Sequence, residues 1–340
     1  MRVQTYQETL DENVGLRRHL LLGNGFSIAA DARFQYASLL DEAFSETDIR
    51  LREIFLRAGT TDFEVVLSKL DTARDVLSCY PGAENFVGDI GADRTLIANR
   101  LIAALAAIHP AASTSLTDGQ YARSGEFLAE MRRADTPDLS GLFFTTNYDL
   151  LLYWSTMRNF RLLRTRDGFS GQGLQWAPEE NQSVFHLHGA LHLYVRDDGS
   201  IGKLRYDTPL IEQISALINR DMLPLFVSEG SSVQKLERIN ANQYLRDALT
   251  RFEGAVMDDG AVLYVFGSAL NDAHIADLIA QGRVGRVYIS AHNVEGSRLS
   301  VTGLEARWIE QRRQAGLPQI EVVVFAATEA GAWADRRART

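Results

Sequence analysis

The stretch LLLGNGFSIAA, residues 20–30, decides the fold. Three uninterrupted leucines suit a strand covered on both faces, because a strand with one wet face would alternate with polar residues. Gly23-Asn24-Gly25 then breaks the run, and Phe26-Ser27-Ile28-Ala29-Ala30 continues with a helical pattern. A buried strand that turns through glycines into a helix is the opening unit of an open α/β sheet.

Five further runs have the same character: GLFFTTN (141–147), SVFHLHG (183–189), AVLYVFGS (261–268), RVYIS (286–290) and EVVVFAA (321–327), with HLLLG (19–23) as the first of the set. Helical patterns such as DAHIADLIAQG and VTGLEARWIEQRRQAG lie between them. The expected fold class is α/β, a Rossmann-like doubly wound parallel sheet with helical insertions. Residues 1–38, 140–196 and 260–340 would form the sheet core. Residues 39–139 and 197–259 read as two helical insertions, and the glycine-rich RDGFSGQGLQW (166–176) as a surface loop.

The 340 residues are 46% apolar and 23% charged, enough to bury a sizeable core. A net charge of −9 and the absence of a long basic tract exclude a broad nucleic-acid-binding surface. Cys79 is the single cysteine, which rules out an internal disulfide and a four-thiolate zinc site. No apolar run is long enough to span a bilayer and the N-terminal residues lack a signal-peptide core, so a cytoplasmic location with no membrane contact is expected.

Five stretches could carry chemistry. Gly23 and Gly25 would let a ligand approach the backbone at a helix N-terminus, or simply make a tight strand–helix turn. In FFTTNYDLLLY (143–153), Thr145, Thr146, Asn147 and Asp149 stand at the carboxyl end of an apolar strand, where open α/β sheets bind ligands. Helix capping by Asn147 or Asp149 explains one of those polar groups, not four in five positions. FHLHGALHLY (185–194) holds three of the chain's seven histidines. His186 and His188 would share a strand face, and the trio reads as one catalytic imidazole, a metal site or core packing. Gly267-Ser268 repeats the strand-to-small-turn theme, with Asn271 or Asp272 as N-cap of the next helix. In FVSEGSSVQKL (226–236), Ser231 and Gln234 have capping-box spacing, and Glu229 is not expected to act as an acid.

Taken in order, these pieces resemble sirtuins, which carry a Gly-x-Gly turn with a following Ser, a Thr-Gln-Asn-Ile-Asp segment, a His-Gly pair and a Gly-Thr/Ser-Ser turn. The counterparts here are Gly23–Ser27, Thr145–Asp149, His188-Gly189 and Gly267-Ser268. With one cysteine the chain cannot build the sirtuin zinc ribbon, so the resemblance is to zinc-free bacterial members, several groups of which hydrolyse NAD in anti-phage defence. The resemblance implies that Gly23, Asn24, Gly25, Phe26 and Ser27 hold the NAD pyrophosphate, with Thr145 and Thr146 beside them. It implies that Asn147 positions the nicotinamide ribose and the attacking water, that Asp149 binds the carboxamide, and that His188 acts on a ribose hydroxyl. Gly267 and Ser268 would meet the adenosine half. His186 and His192 become structural and no metal is expected. The implied activity is hydrolysis of NAD to nicotinamide and ADP-ribose, gated by an activating protein partner or a homo-oligomer. The alternatives are an NAD-dependent deacylase, a non-catalytic NAD or ADP-ribose sensor, and a metal-dependent hydrolase built on His186 and His188.

Overall fold

A computed structural model of the chain describes residues 2–206, 208–218, 224–227 and 232–334. Its strands, in chain order, are β1 (Arg2–Val3), β2 (Arg17–Leu22), β3 (Phe143–Thr145), β4 (Phe169–Ser170), β5 (Gln175–Trp176), β6 (Val184–His186), β7 (Gly189–Val195), β8 (Ile201–Lys203), β9 (Pro224–Phe226), β10 (Ala261–Phe266), β11 (Arg286–Ala291) and β12 (Glu321–Ala326). All six apolar runs read from the sequence form strands of one seven-stranded sheet of order β1-β12-β11-β10-β2-β3-β6. Every pairing in it is parallel. The fold is the doubly wound α/β class.

Alternate residues of each strand enter separate cores. Leu20, Leu22, Phe143, Tyr264 and Phe266 pack into one, Leu21, Phe144, Phe185, Leu263 and Val265 into the other. This two-sided burial is why the strands show no polar alternation. Helices Asn24–Ala30 and Asp118–Arg132 cover the first face through Phe26, Phe127 and Leu128. Helices Gln243–Val256, Ala273–Gln281 and Arg298–Ala315 cover the second through Phe252, Ile279 and Trp308.

Three expectations are corrected. Helix Asp118–Arg132, placed in the insertion 39–139, and helix Gln243–Val256, placed in the insertion 197–259, are layers of the sheet itself; a crossover helix and an inserted helix share one periodicity, so the sequence does not separate them. The interval 197–259 is also not purely helical. It supplies β8 and β9 to a five-stranded antiparallel sheet of order β4-β5-β8-β7-β9, and the 166–176 loop supplies β4 and β5. Strands of two or three residues are too short to show a period of two. Finally, the run 183–189 is not one strand: β6 stops at His186, and Gly189 opens β7 at φ +80°. A Cβ at Gly189 would lie 2.0 Å from the Leu225 carbonyl oxygen, so only glycine fits there. Ser231 and Glu229 lie outside the described residues.

Among the described residues no helix is long and apolar enough to cross a membrane.

Six histidines are driven toward the neutral form by burial. His109, His186, His188 and His274 are each pushed down to about 4, while His19 and His192 are also lowered. In the unfolded chain these rings titrate near the ordinary value of about 6.5, so unfolding takes up protons between that value and about 4. The stability they contribute is complete above the unfolded value and is lost as pH falls. The melting temperature is therefore expected to drop by on the order of 5 °C or more between pH 7 and pH 5. Equal melting temperatures at the two values would show that the rings are protonated within the fold.

Candidate functional site

The strand order reverses between β2 and β10, which are hydrogen-bonded neighbours from Arg17↔Ala261 to Leu22↔Phe266. Chain leaving each of them meets at the carboxyl edge of the sheet, the place where such sheets open a crevice. Here the two turns are packed backbone to backbone. The Gly23 amide donates to the Phe266 carbonyl at 2.9 Å and the Gly25 amide to the Gly267 carbonyl at 2.8 Å. A Cβ on Gly25 would lie 2.5 Å from Gly267 Cα, and one on Gly267, itself at φ +71°, would lie 2.6 Å from the Gly25 backbone. These glycines are needed by the contact between the turns, whatever binds there. One consequence is that the Gly25 amide, expected to face a pyrophosphate, already has an acceptor.

The Thr145–Asp149 segment is wired to the first turn. Thr145 Oγ1 accepts from the Asn147 amide at 3.0 Å. Asn147 Nδ2 donates to the Gly23 carbonyl at 2.9 Å and to Ser27 Oγ at 3.0 Å. Ser27 in turn donates to Asp149, whose other oxygen accepts the Leu151 amide at 2.9 Å. Asp149 thus serves both as a cap for the following helix and as an anchor for Ser27. Burial raises its carboxyl above the ordinary range, and the bonds from Ser27 and Leu151 oppose that rise. The polar cluster at the strand end is a cross-link between the loops after β2 and β3.

These loops wall a cavity of about 420 Å³. Of the expected site residues, Gly23, Asn24, Gly25, Thr146, Asn147, Asp149, Gly267 and Ser268 line it. Phe26, Ser27 and Thr145 do not: Phe26 is in the core, 5.0 Å ring to ring from Trp333, and Ser27 and Thr145 are buried behind the wall. Tyr36, Leu39, Phe63, Leu101 and Leu105 close the opposite, apolar side from the helical insertion. A second cavity of about 600 Å³ adjoins it, sharing Ser268, Asn271 and Ser290, so the crevice continues across the switch point.

His188 is not on this wall. It is fully buried, and its ring centroid lies 6.4 Å from that of Tyr148, which does line the cavity. The shared strand face expected for His186 and His188 does not form, because β6 ends at His186. His186 instead meets His192 at 4.9 Å between ring centroids, whereas His188 Nε2 lies 3.1 Å from His274 Nε2. Asp272, the N-cap of helix Ala273–Gln281, makes no side-chain cap; its carboxylate receives Lys235 Nζ at 2.6 Å and reaches the cavity rim. His274 and Lys235 escaped the sequence reading. The D-x-H spacing at the start of a helix was visible, but its partner His188 is 86 positions away.

His188, Asp272 and His274 hold ligand atoms within 4.8 Å of one another, the one such grouping among the described residues. Its members already have neighbours of their own. The Lys235 ammonium lies 2.6 Å from one oxygen of the Asp272 carboxylate, the two imidazole Nε2 atoms face each other at 3.1 Å, and neither Nδ1 has, among the described residues, the acceptor that orients a metal-bound histidine.

The comparison with protein families adds one finding. A family model described as a domain of unknown function, DUF4917, matches residues 20–333. The chain belongs to the DUF4917 family. The match begins in β2 and runs through both insertions, so the helical wall of the cavity belongs to the family domain. No curated protein matches this DUF4917 chain.

Two measurements test this site. Gly267→Ala is expected to cost about 1–3 kcal/mol in urea unfolding, from positive φ and the clash with Gly25; an unchanged midpoint would show that the turns are not in contact. Elemental analysis of protein dialysed against zinc is expected to show well under one equivalent, and stoichiometric zinc lost on His274→Ala would reverse the reading of the His188–His274 pair.

Proposed function

We propose that the crevice binds NAD across the switch point and that the chain cleaves it to nicotinamide and ADP-ribose. The observation that supports this reading is the convergence of Gly23–Gly25, Thr146–Asp149 and Gly267-Ser268 on one cavity, in the order in which the resemblance to zinc-free sirtuin-like proteins assigns them to pyrophosphate, nicotinamide ribose and adenosine. The adjoining cavity beyond Ser268 gives the adenosine half room, and the apolar wall from Tyr36, Leu39 and Leu105 excludes bulk water from the other side.

In this proposal the C1′–N bond breaks with its electron pair passing to the pyridinium nitrogen, water oxygen bonds to C1′, and the water proton is released. The pyridinium is a good leaving group, so the protein chiefly orients and shields the sugar. Asn147 suits that task because two hydrogen bonds already fix its side chain against Gly23 and Ser27. Asp149 would take the carboxamide. His188, set behind Tyr148, would act as a positioning residue and not on the ribose hydroxyl directly. The setting that fits the resemblance is bacterial anti-phage defence in the cytoplasm, with a partner or self-assembly as gate.

One observation favours a second reading, a sensor that binds NAD or ADP-ribose without cleaving it: the imidazole expected to help catalysis is fully buried away from the cavity. Nicotinamide release separates the two. Asn147→Ala is expected to lower release by about 10²–10³-fold in protein that is still folded at the assay temperature, with a melting temperature lowered by the loss of its two buried hydrogen bonds. Tight NAD binding by calorimetry with no nicotinamide from the wild-type chain would establish the sensor. Full release by Asn147→Ala would remove the assignment of this cavity.

A further inference from the structure

The two histidines of FHLHGALHLY that the NAD reading leaves idle meet in a different cavity. It measures about 520 Å³, within the range of small-molecule sites, and lies between β6, β7, β8 and the segment 164–170. His186 and His192 line its depth, 3% and 2% exposed; the Nδ1 of each is enclosed, with no partner among the described residues, and it is the rings that border the cavity. A ring that accepts or donates according to its tautomer is well suited to the hydrogen-bonding edge of a ligand.

The rest of the lining has two parts. Tyr153, Phe169 and the half-exposed Phe160 give flat apolar walls, and Tyr153 lies parallel to His192 at 4.3 Å. Arg164 and Arg166 stand at the mouth with more than half of each side chain exposed, and among the described residues each pairs with one carboxylate: Asp135 at 3.1 Å and Glu179 at 3.8 Å. Such exposed pairs contribute little and exchange readily for a better anion. Lys203, buried and paired with Asp167, keeps its ammonium 4.9 Å from the Tyr153 ring centre and 5.2 Å from that of Phe169. Among lining residues the formal charge is three cations against two carboxylates, in a chain whose net charge is −9. Two guanidiniums beside a flat-walled, hydrogen-bonding pocket match a phosphate attached to a planar heterocycle.

We propose that this second cavity binds a nucleoside monophosphate, its heterocycle edge toward His186 and His192 and its phosphate at Arg164 and Arg166. The site is separate from the proposed NAD crevice and does not depend on it. The two are adjacent through the sheet, since His186 pairs with Thr145, the residue before the first loop residue that lines the NAD crevice. A ligand on His186 therefore stands one residue from the loop that lines the first cavity.

Calorimetry on the full chain with AMP, UMP and inorganic phosphate tests the proposal. At least one nucleotide is expected to bind one to one and about tenfold or more tighter than phosphate alone. The surface double variant Arg164→Ala/Arg166→Ala is expected to lose about tenfold in affinity with an unchanged melting temperature. His192→Phe, which keeps a flat ring against Tyr153, is expected to erase the advantage of the nucleotide over phosphate. No saturable nucleotide binding, or phosphate binding as well as AMP, would overturn the assignment. Nucleotide affinity untouched by both variants would also overturn it, by placing the binding in the first cavity. Should His192→Phe fail to fold, the exposed arginine pair still decides the outcome. None of these readouts requires NAD turnover, so the two proposals fail separately.

Discussion

Everything at the carboxyl edge of the sheet rests on one contact, the backbone-to-backbone seating of the Gly23–Gly25 turn against Gly267. The two hydrogen bonds from the Gly23 and Gly25 amides extend the β2–β10 pairing past the last strand residues. They hold the opening helix and the small turn at a separation that no side chain could share. From that seat the order follows outward. Gly23 offers its carbonyl to Asn147, Ser27 offers its hydroxyl to Asn147 and Asp149, and Asp149 holds the first amide of the next helix. Three loops from three strands are thereby fixed as one unit. Asn147 and Asp149 are structural and line the crevice at once, which is how an α/β sheet makes a rigid ligand floor from loops.

The parallel sheet could be read from the sequence because its chemistry is monotonous. Residues such as Val262, Leu263, Tyr264 and Val265 are buried on both faces and carry no polar alternation. The turns were equally visible, since glycine after an apolar run has few other uses. The antiparallel sheet was not, because β4, β5, β8 and β9 each span only two or three residues, too few to display a period of two. Helix Asp118–Arg132 was legible as a helix but not as a layer of the core, a distinction made by Phe127 meeting Phe26 and Phe266 in space.

The histidines show the same limit at the scale of a site. Their spacing promised that His186 and His188 would share a face, and the promise depended on a strand continuing to Gly189. It stops three residues earlier, and the glycine instead begins the next strand against the Leu225 carbonyl. One histidine turns to His192 and the other to His274, so a single cluster in sequence becomes two separate ring pairs. What separated them was a backbone conformation available to glycine alone, not any property of the imidazoles.

The apolar wall of the first cavity has a mechanical consequence. Leu39, Leu101 and Leu105 belong to the long helices beyond the sheet, while the facing floor belongs to the sheet loops. A molecule filling the space touches both bodies, so its affinity and the docking of the helices onto the sheet are linked quantities. Whatever loosens the helical module weakens retention of the occupant, and whatever clamps it lengthens residence.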